Sequence, residues 1–218
     1  GEHGLEANWI AFAPDDGIGT VLILAVDALF SSTAFESLLK AAAKAEGLRL
    51  DALWVVASHT HFAPQIDSGK PGLGRASVAH MEDLATRIAK DVADQRHGQG
   101  KSVDSIAFGI ALTPGSVYRR RAGLRILSRP PFLRHTTITA PDPRVDIPRD
   151  VRIWTLDASD GTVLAAFVHW PCHPVASSPR GRPSPAHVGA IRKTLRNRRG
   201  AALPVLMLPG LSGDIRPD

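Results

Sequence analysis

Short runs of aliphatic and β-branched residues recur along the chain, and segments of helical period fall between them. A chain built this way must layer strands against helices, which predicts an α/β fold: mixed central sheets flanked by helices. Residues 9–12 and Val21–Val26 read as strands around the turn Pro14-Asp15-Asp16-Gly17. Residues 32–46 carry Phe35, Leu38, Leu39 and Ala42 at helical spacing, with Ser31 or Ser32 as N-cap and Gly47 as the stop. Residues 53–57 predict a buried strand, and 76–95 an amphipathic helix with Met81, Leu84, Ile88 and Val92 on one face. Residues 105–112 form a further strand. The stretch 119–150, with five prolines, shows no clear pattern and reads as a long functional loop. Strands at 151–156 and 162–169 flank the hairpin signal Ala158-Ser159-Asp160-Gly161. A basic helix at 188–199 and a strand at 205–208 complete the pattern, and no linker divides residues 1–218 into separate domains.

The residues just past the strands carry the chemistry. Val21–Val26 ends in Asp27; 53–57 runs into Ser58-His59-Thr60-His61; 162–168 into His169-Trp170-Pro171-Cys172-His173-Pro174; 205–208 into Gly210-Leu211-Ser212-Gly213-Asp214. Ligands of open α/β sheets bind beyond the carboxyl ends of strands, so the site is expected there. In extended backbone residues i and i+2 share a side, which would aim His59 and His61 into one cavity. Neutral imidazole is a common zinc ligand. Two readings stay open for this pair: metal ligands, or two histidines hydrogen-bonded in a loop.

His173 is the second ligand candidate, with a backbone restricted by Pro174. Cys172 reads as a small buried hydrophobe and His169 as a core histidine. The turn at 210–214 has Asp where the G-x-S-x-G elbow has its last glycine, which argues against Ser212 as a nucleophile. His3, His80, His97, His135 and His187 are scattered, and most read as ordinary surface residues. The charge of +5 and pI near 9.9 permit an anionic partner. The arginines of 192–199 read as a solvated helix face, whereas Arg119-Arg120-Arg121 opens the long loop and can point at a substrate. One tyrosine and 6% aromatic residues offer few platforms for stacking nucleic-acid bases. A single cysteine excludes an intramolecular disulfide and fits either redox compartment. No apolar run approaches the ~20 residues of a membrane span.

In order and spacing the motifs resemble the N-terminal catalytic region of the neutral/alkaline (non-lysosomal) ceramidase family. The matching pieces are Gly1-Glu2-His3-Gly4-Leu5, Ser58-His59-Thr60-His61-Phe62-Ala63-Pro64, Val117-Tyr118-Arg119-Arg120, Cys172-His173-Pro174, His187-Val188-Gly189 and Gly213-Asp214-Ile215-Arg216-Pro217. Gly4 and Tyr118 depart from the family pattern, which usually has Asp and Asn there, and an Asp is expected near Ala186, in the stretch before Gly189. The resemblance implies a zinc-dependent amide hydrolase acting on a small-molecule or lipid N-acyl amide. His59 and His173 would be zinc ligands, and His61 would polarise the scissile carbonyl or handle a proton. Arg119 would contact the substrate near the carbonyl, while Asp27 and Asp214 would support the site from outside the ligand set. Two further family ligands, a Glu and a Tyr, have no match before Asp218, so the chain reads as incomplete at both ends. Members of the family are often exported. Two other readings stand beside this one: a non-catalytic relative with an incomplete metal shell, and a binder of anionic ligands or nucleic acid through the arginines.

Overall fold

The computed structural model describes residues 4–13, 19–96, 100–176 and 181–218. The turn expected at 14–17, and His3 and His97, lie outside the described residues. Strands β1 (Ala7–Phe12), β2 (Val21–Val26) and β3 (Ala52–Ala57) form one sheet in the order β1-β2-β3. β1 and β2 are antiparallel, Trp9 opposite Leu24; β2 and β3 are parallel, Leu24 opposite Val55. Parallel neighbours need a crossover, and helix α1 (Thr33–Ala45) supplies it.

Ser32 begins α1: its backbone is extended, its Oγ accepts from Phe35 N at 3.2 Å and donates to Ile66 O at 2.8 Å. Gly47, at φ +74°, ends the helix in the left-handed conformation that glycine adopts without steric cost. Helix α2 (Val78–Arg96) follows β3 and lies against α1. Phe35, Leu39 and Ala43 of α1, and Met81, Ile88 and Val92 of α2, bury one stripe each against Leu22, Leu24 and Val26. Leu84 packs at the margin of that core.

A second sheet has the order β4-β7-β8-β9, from β4 (Ser105–Leu112), β7 (Asp150–Asp157), β8 (Val163–Trp170) and β9 (Val205–Pro209). Its first three strands are antiparallel, and β8 and β9 run parallel, joined through helix α3 (His187–Arg199). Val188, Ile191 and Leu195 of α3 cover Ala166, Val168, Val205 and Met207. β9 also lies against the first sheet. The third sheet is β10-β5-β6, from β5 (Ser116–Ile126), β6 (Leu133–Asp142) and β10 (Ile215–Pro217).

Several expectations are corrected. The stretch 119–150 is mostly an antiparallel ribbon, β5 with β6: Pro130 and Pro131 fall in its tip, Pro141 in the irregular register at its base, and Pro143 and Pro148 beyond its end. The strand at 53–57 is an edge, with Trp54 61% exposed. The arginines of α3 are not one solvated face: Arg192 is buried, and its guanidinium forks onto Asp27 at 2.5 and 2.9 Å. Arg196 pairs with Glu6 at 2.9 and 2.8 Å and with Asn8 at 2.8 Å, so α3 is tied by ion pairs to the first sheet.

Candidate metal centre

The chain leaves β3 at Ala57 and turns at once, with His59 at φ +66°. His59 and His61 therefore meet through a left-handed residue and not through strand alternation; their ring centroids lie 5.5 Å apart, edge to face. Thr60, fully buried between them, donates to Ser184 O at 2.7 Å, and Ser184 N donates to Phe62 O at 2.9 Å. The loop that carries both imidazoles is thus pinned to the segment ahead of α3.

His173 arrives from the other sheet, three residues beyond β8. Its backbone N donates to Ile215 O at 2.9 Å, and the ring is buried. Its centroid lies 4.7 Å from that of His59 and 4.9 Å from that of His61. One nitrogen from each of the three rings falls within 4.8 Å of the others. The hydrogen bonds select which nitrogens face inward. His59 Nδ1 pairs with Leu29 O at 2.9 Å and His173 Nδ1 with Ser212 O at 3.2 Å. Each Nδ1 is then the N–H, which leaves a lone pair on Nε2. His61 Nε2 lies 2.8 Å from His173 Nε2.

Burial, first of all, pulls the His173 pKa down to about 4 and lowers that of His61, with the neighbouring Arg119 charge and the other histidines adding to both. These rings stay neutral near pH 7, the form that binds a metal. The three histidines could therefore hold a metal ion. Cys172, adjacent, is buried, and burial pushes its thiol up to about 12.

Arg119 is half-buried on β5, just past its buried start at Ser116 and Val117. Its backbone N donates to Asp214 O at 2.7 Å and its Nε to Gly213 O at 2.8 Å. The two terminal nitrogens have no hydrogen-bond partner among the described residues. Asp214 directs its carboxylate to Arg120 Nε at 3.2 Å, and Asp27 accepts from Arg192 and from Glu6 N at 2.9 Å. Backbone carbonyls of Leu29 and Ser212 engage Nδ1 of His59 and His173. Gly210 brings its turn against the end of β8: a Cβ there would lie 2.7 Å from His169 Nε2 and 2.9 Å from Pro171 Cβ.

Three contributors escape a reading of the sequence. Phe30 meets the His59 ring edge at 4.9 Å, and Lys70 sits over Phe30 at 4.2 Å. His187, expected at the surface, packs against Trp170 at 4.7 Å, and burial pulls its pKa down to about 4. Just before it, Ala186 takes φ +54°, ψ −137°, and α3 starts without a side-chain cap. A cavity of about 620 Å³ lies elsewhere, between β1 and α2, and the three histidines do not line it.

No family model and no curated protein matches the sequence. Solved structures do share the fold. A neutral ceramidase from Pseudomonas aeruginosa superposes with a TM-score of 0.68 at 13% identity, over 97% of this chain and 34% of that one. A ceramidase complexed with C2 gives 0.68 and 12%, over 97% of this chain and 33% of that one. The fold is therefore ceramidase-like, and the chain spans about a third of the length of these structures.

Proposed function

We propose that the protein is a zinc-dependent amide hydrolase of the neutral ceramidase type, acting on an N-acyl amide. One observation carries the reading: three imidazoles from two parallel strand pairs converge within 4.8 Å in a ceramidase-like fold. The reading treats residues 1–218 as one α/β unit, with the ion pairs between α3 and the first sheet in its support.

His59 and His173 would hold the ion through Nε2, because each Nδ1 is engaged by a backbone carbonyl. A zinc ion bound there supplies activation of water, by lowering its pKa to about 7, and polarisation of a carbonyl. His61 is the exposed member of the cluster, and its Nε2 joins the ligand set or receives and returns a proton at that atom. Arg119, fixed through Nε, offers its two terminal nitrogens to a carbonyl oxygen as negative charge develops on it.

The test is zinc titration calorimetry beside hydrolysis of a fluorogenic N-acyl amide. His59→Ala and His173→Ala should each lower zinc affinity about 100-fold and abolish turnover. His61→Ala should lower turnover more than zinc affinity. Unchanged zinc binding and turnover in the first two variants would overturn the assignment; zinc binding without turnover in the unmodified protein would favour a non-catalytic relative.

A further inference from the structure

The β5–β6 ribbon is the least covered part of the fold. Beyond Tyr118 its main partner is itself, since β10 pairs only with residues 116–118 of β5. An isolated two-stranded ribbon is marginal in water, and this one leaves large side chains bare. Leu124 is 57% exposed, Ile126 83%, Phe132 57% and Leu133 54%. Its register sorts the two faces. Leu124 pairs with His135 and Ile126 with Leu133, which puts the aliphatic residues on one face near the tip. Arg125 pairs with Arg134 on the opposite face, with Arg121 further down and Arg129 in the tip. Like charges placed directly opposite are unfavourable unless a partner neutralises them. From 119 to 142 the sequence has six arginines and one acidic residue, Asp142, and Arg144 already engages that carboxylate at 2.8 and 2.7 Å.

We infer that the tip of the β5–β6 ribbon docks the protein onto an anionic lipid surface. The occupant must offer an apolar phase next to a layer of negative charge. A bilayer interface has both at the right depth: acyl chains for Ile126, Leu133 and Phe132, and phosphates for Arg125, Arg129 and Arg134. Arginine stems lie along apolar surface while their guanidinium groups stay at the phosphates. A nucleic acid would match the charge but not the apolar face, which has a single aromatic ring at the tip and no row for stacking bases. The base of the ribbon is Arg119, beside the histidine cluster. Ile126 is seven residue steps further along the strand, about 23 Å at ~3.3 Å per residue. Docking would hold the histidines a fixed height above the membrane. The inference is independent of the hydrolase reading, because binding is measured without turnover.

Sedimentation with vesicles tests it, using phosphatidylcholine with a third phosphatidylglycerol against phosphatidylcholine alone. The protein should sediment with the mixed vesicles and stay in solution with the neutral ones. Arg125→Gln with Arg134→Gln should lower the partition coefficient about 30-fold. Ile126→Ser with Phe132→Ser should lower it about tenfold or more. Leu112→Ser, an exposed apolar residue on β4, should leave it unchanged. Circular dichroism of each variant should match the unmodified protein, since every changed side chain is exposed. A fluorophore on Ser128→Cys, with Cys172 buried and unreactive, should shift to the blue only with mixed vesicles. Equal binding to both vesicles, no binding to either, or an unshifted fluorophore overturns the inference. Loss in the arginine pair with none in the apolar pair also overturns it, in favour of a soluble polyanion.

Discussion

His59 holds a left-handed backbone, which costs a residue with a Cβ about 1–2 kcal/mol. The Leu29 carbonyl on Nδ1 and the Phe30 ring against its edge fix the imidazole there. Strain of this kind gathers where geometry serves function. His187 carries a pH signature. Its ordinary pKa is about 6.5, and burial pulls it down to about 4 in the fold. As pH falls, the unfolded chain takes up this proton first. The stabilisation from a neutral His187 is complete above about 6.5 and is lost as pH falls from there towards 4. His173 titrates in the same sense. Thermal and urea unfolding between pH 7.5 and 4.5 should show stability declining with acid, and His187→Gln should reduce the proton uptake by about one. An unchanged pH slope in that variant would refute this. His59-Thr60-His61 was legible as a candidate site because it comes directly after a strand. Thr60 as an anchor was not, since its partner Ser184 is 124 residues away.

Helices α1 and α3 begin in opposite ways. Ser32 gives α1 a side-chain cap that also bonds Ile66 O, whereas Ala186 leaves α3 uncapped with a positive φ. Ser32→Ala should destabilise by about 1–2 kcal/mol. Ala186→Gly should stabilise by about 1 kcal/mol, because glycine accepts that backbone without the Cβ clash. Urea midpoints measure both, and equal signs for the two changes would contradict the assignment. α1, α2 and the strands of the first sheet were legible because burial imprints a period on sequence. The ribbon was not: beyond their base β5 and β6 bury no residue fully, so no strong apolar alternation distinguishes them from a loop. Trp54 shows the same limit in reverse, since an apolar run looks identical in an edge strand and a central one.

At the scale of the whole molecule, Asp27–Arg192 is the most deeply buried ion pair among the described residues, with side chains 0% and 1% exposed. Removing one member of such a pair strands the other charge, so Asp27→Asn should cost about 3–5 kcal/mol. Asp27→Leu with Arg192→Met should recover most of that loss in urea unfolding. The same variants separate two roles for Asp27: a clamp between sheets changes stability alone, while support of the histidines would also lower zinc affinity. Nothing in the run of basic residues from 192 to 199 marks Arg192 as interior. Only its phase on the helix, one residue after Ile191 and four after Val188, turns it inward.

The three imidazoles belong to different crossover units, two from the strand after α1 and one from the strand before α3. Any ion they share is consequently a cross-brace, tightening the joint between units as it binds. By linkage, an ion present at 100 times its dissociation constant adds about 2.7 kcal/mol to the intact form. Occupancy of the centre and mechanical union of the two halves are then one equilibrium, and a chelator should act on this protein as a mild denaturant.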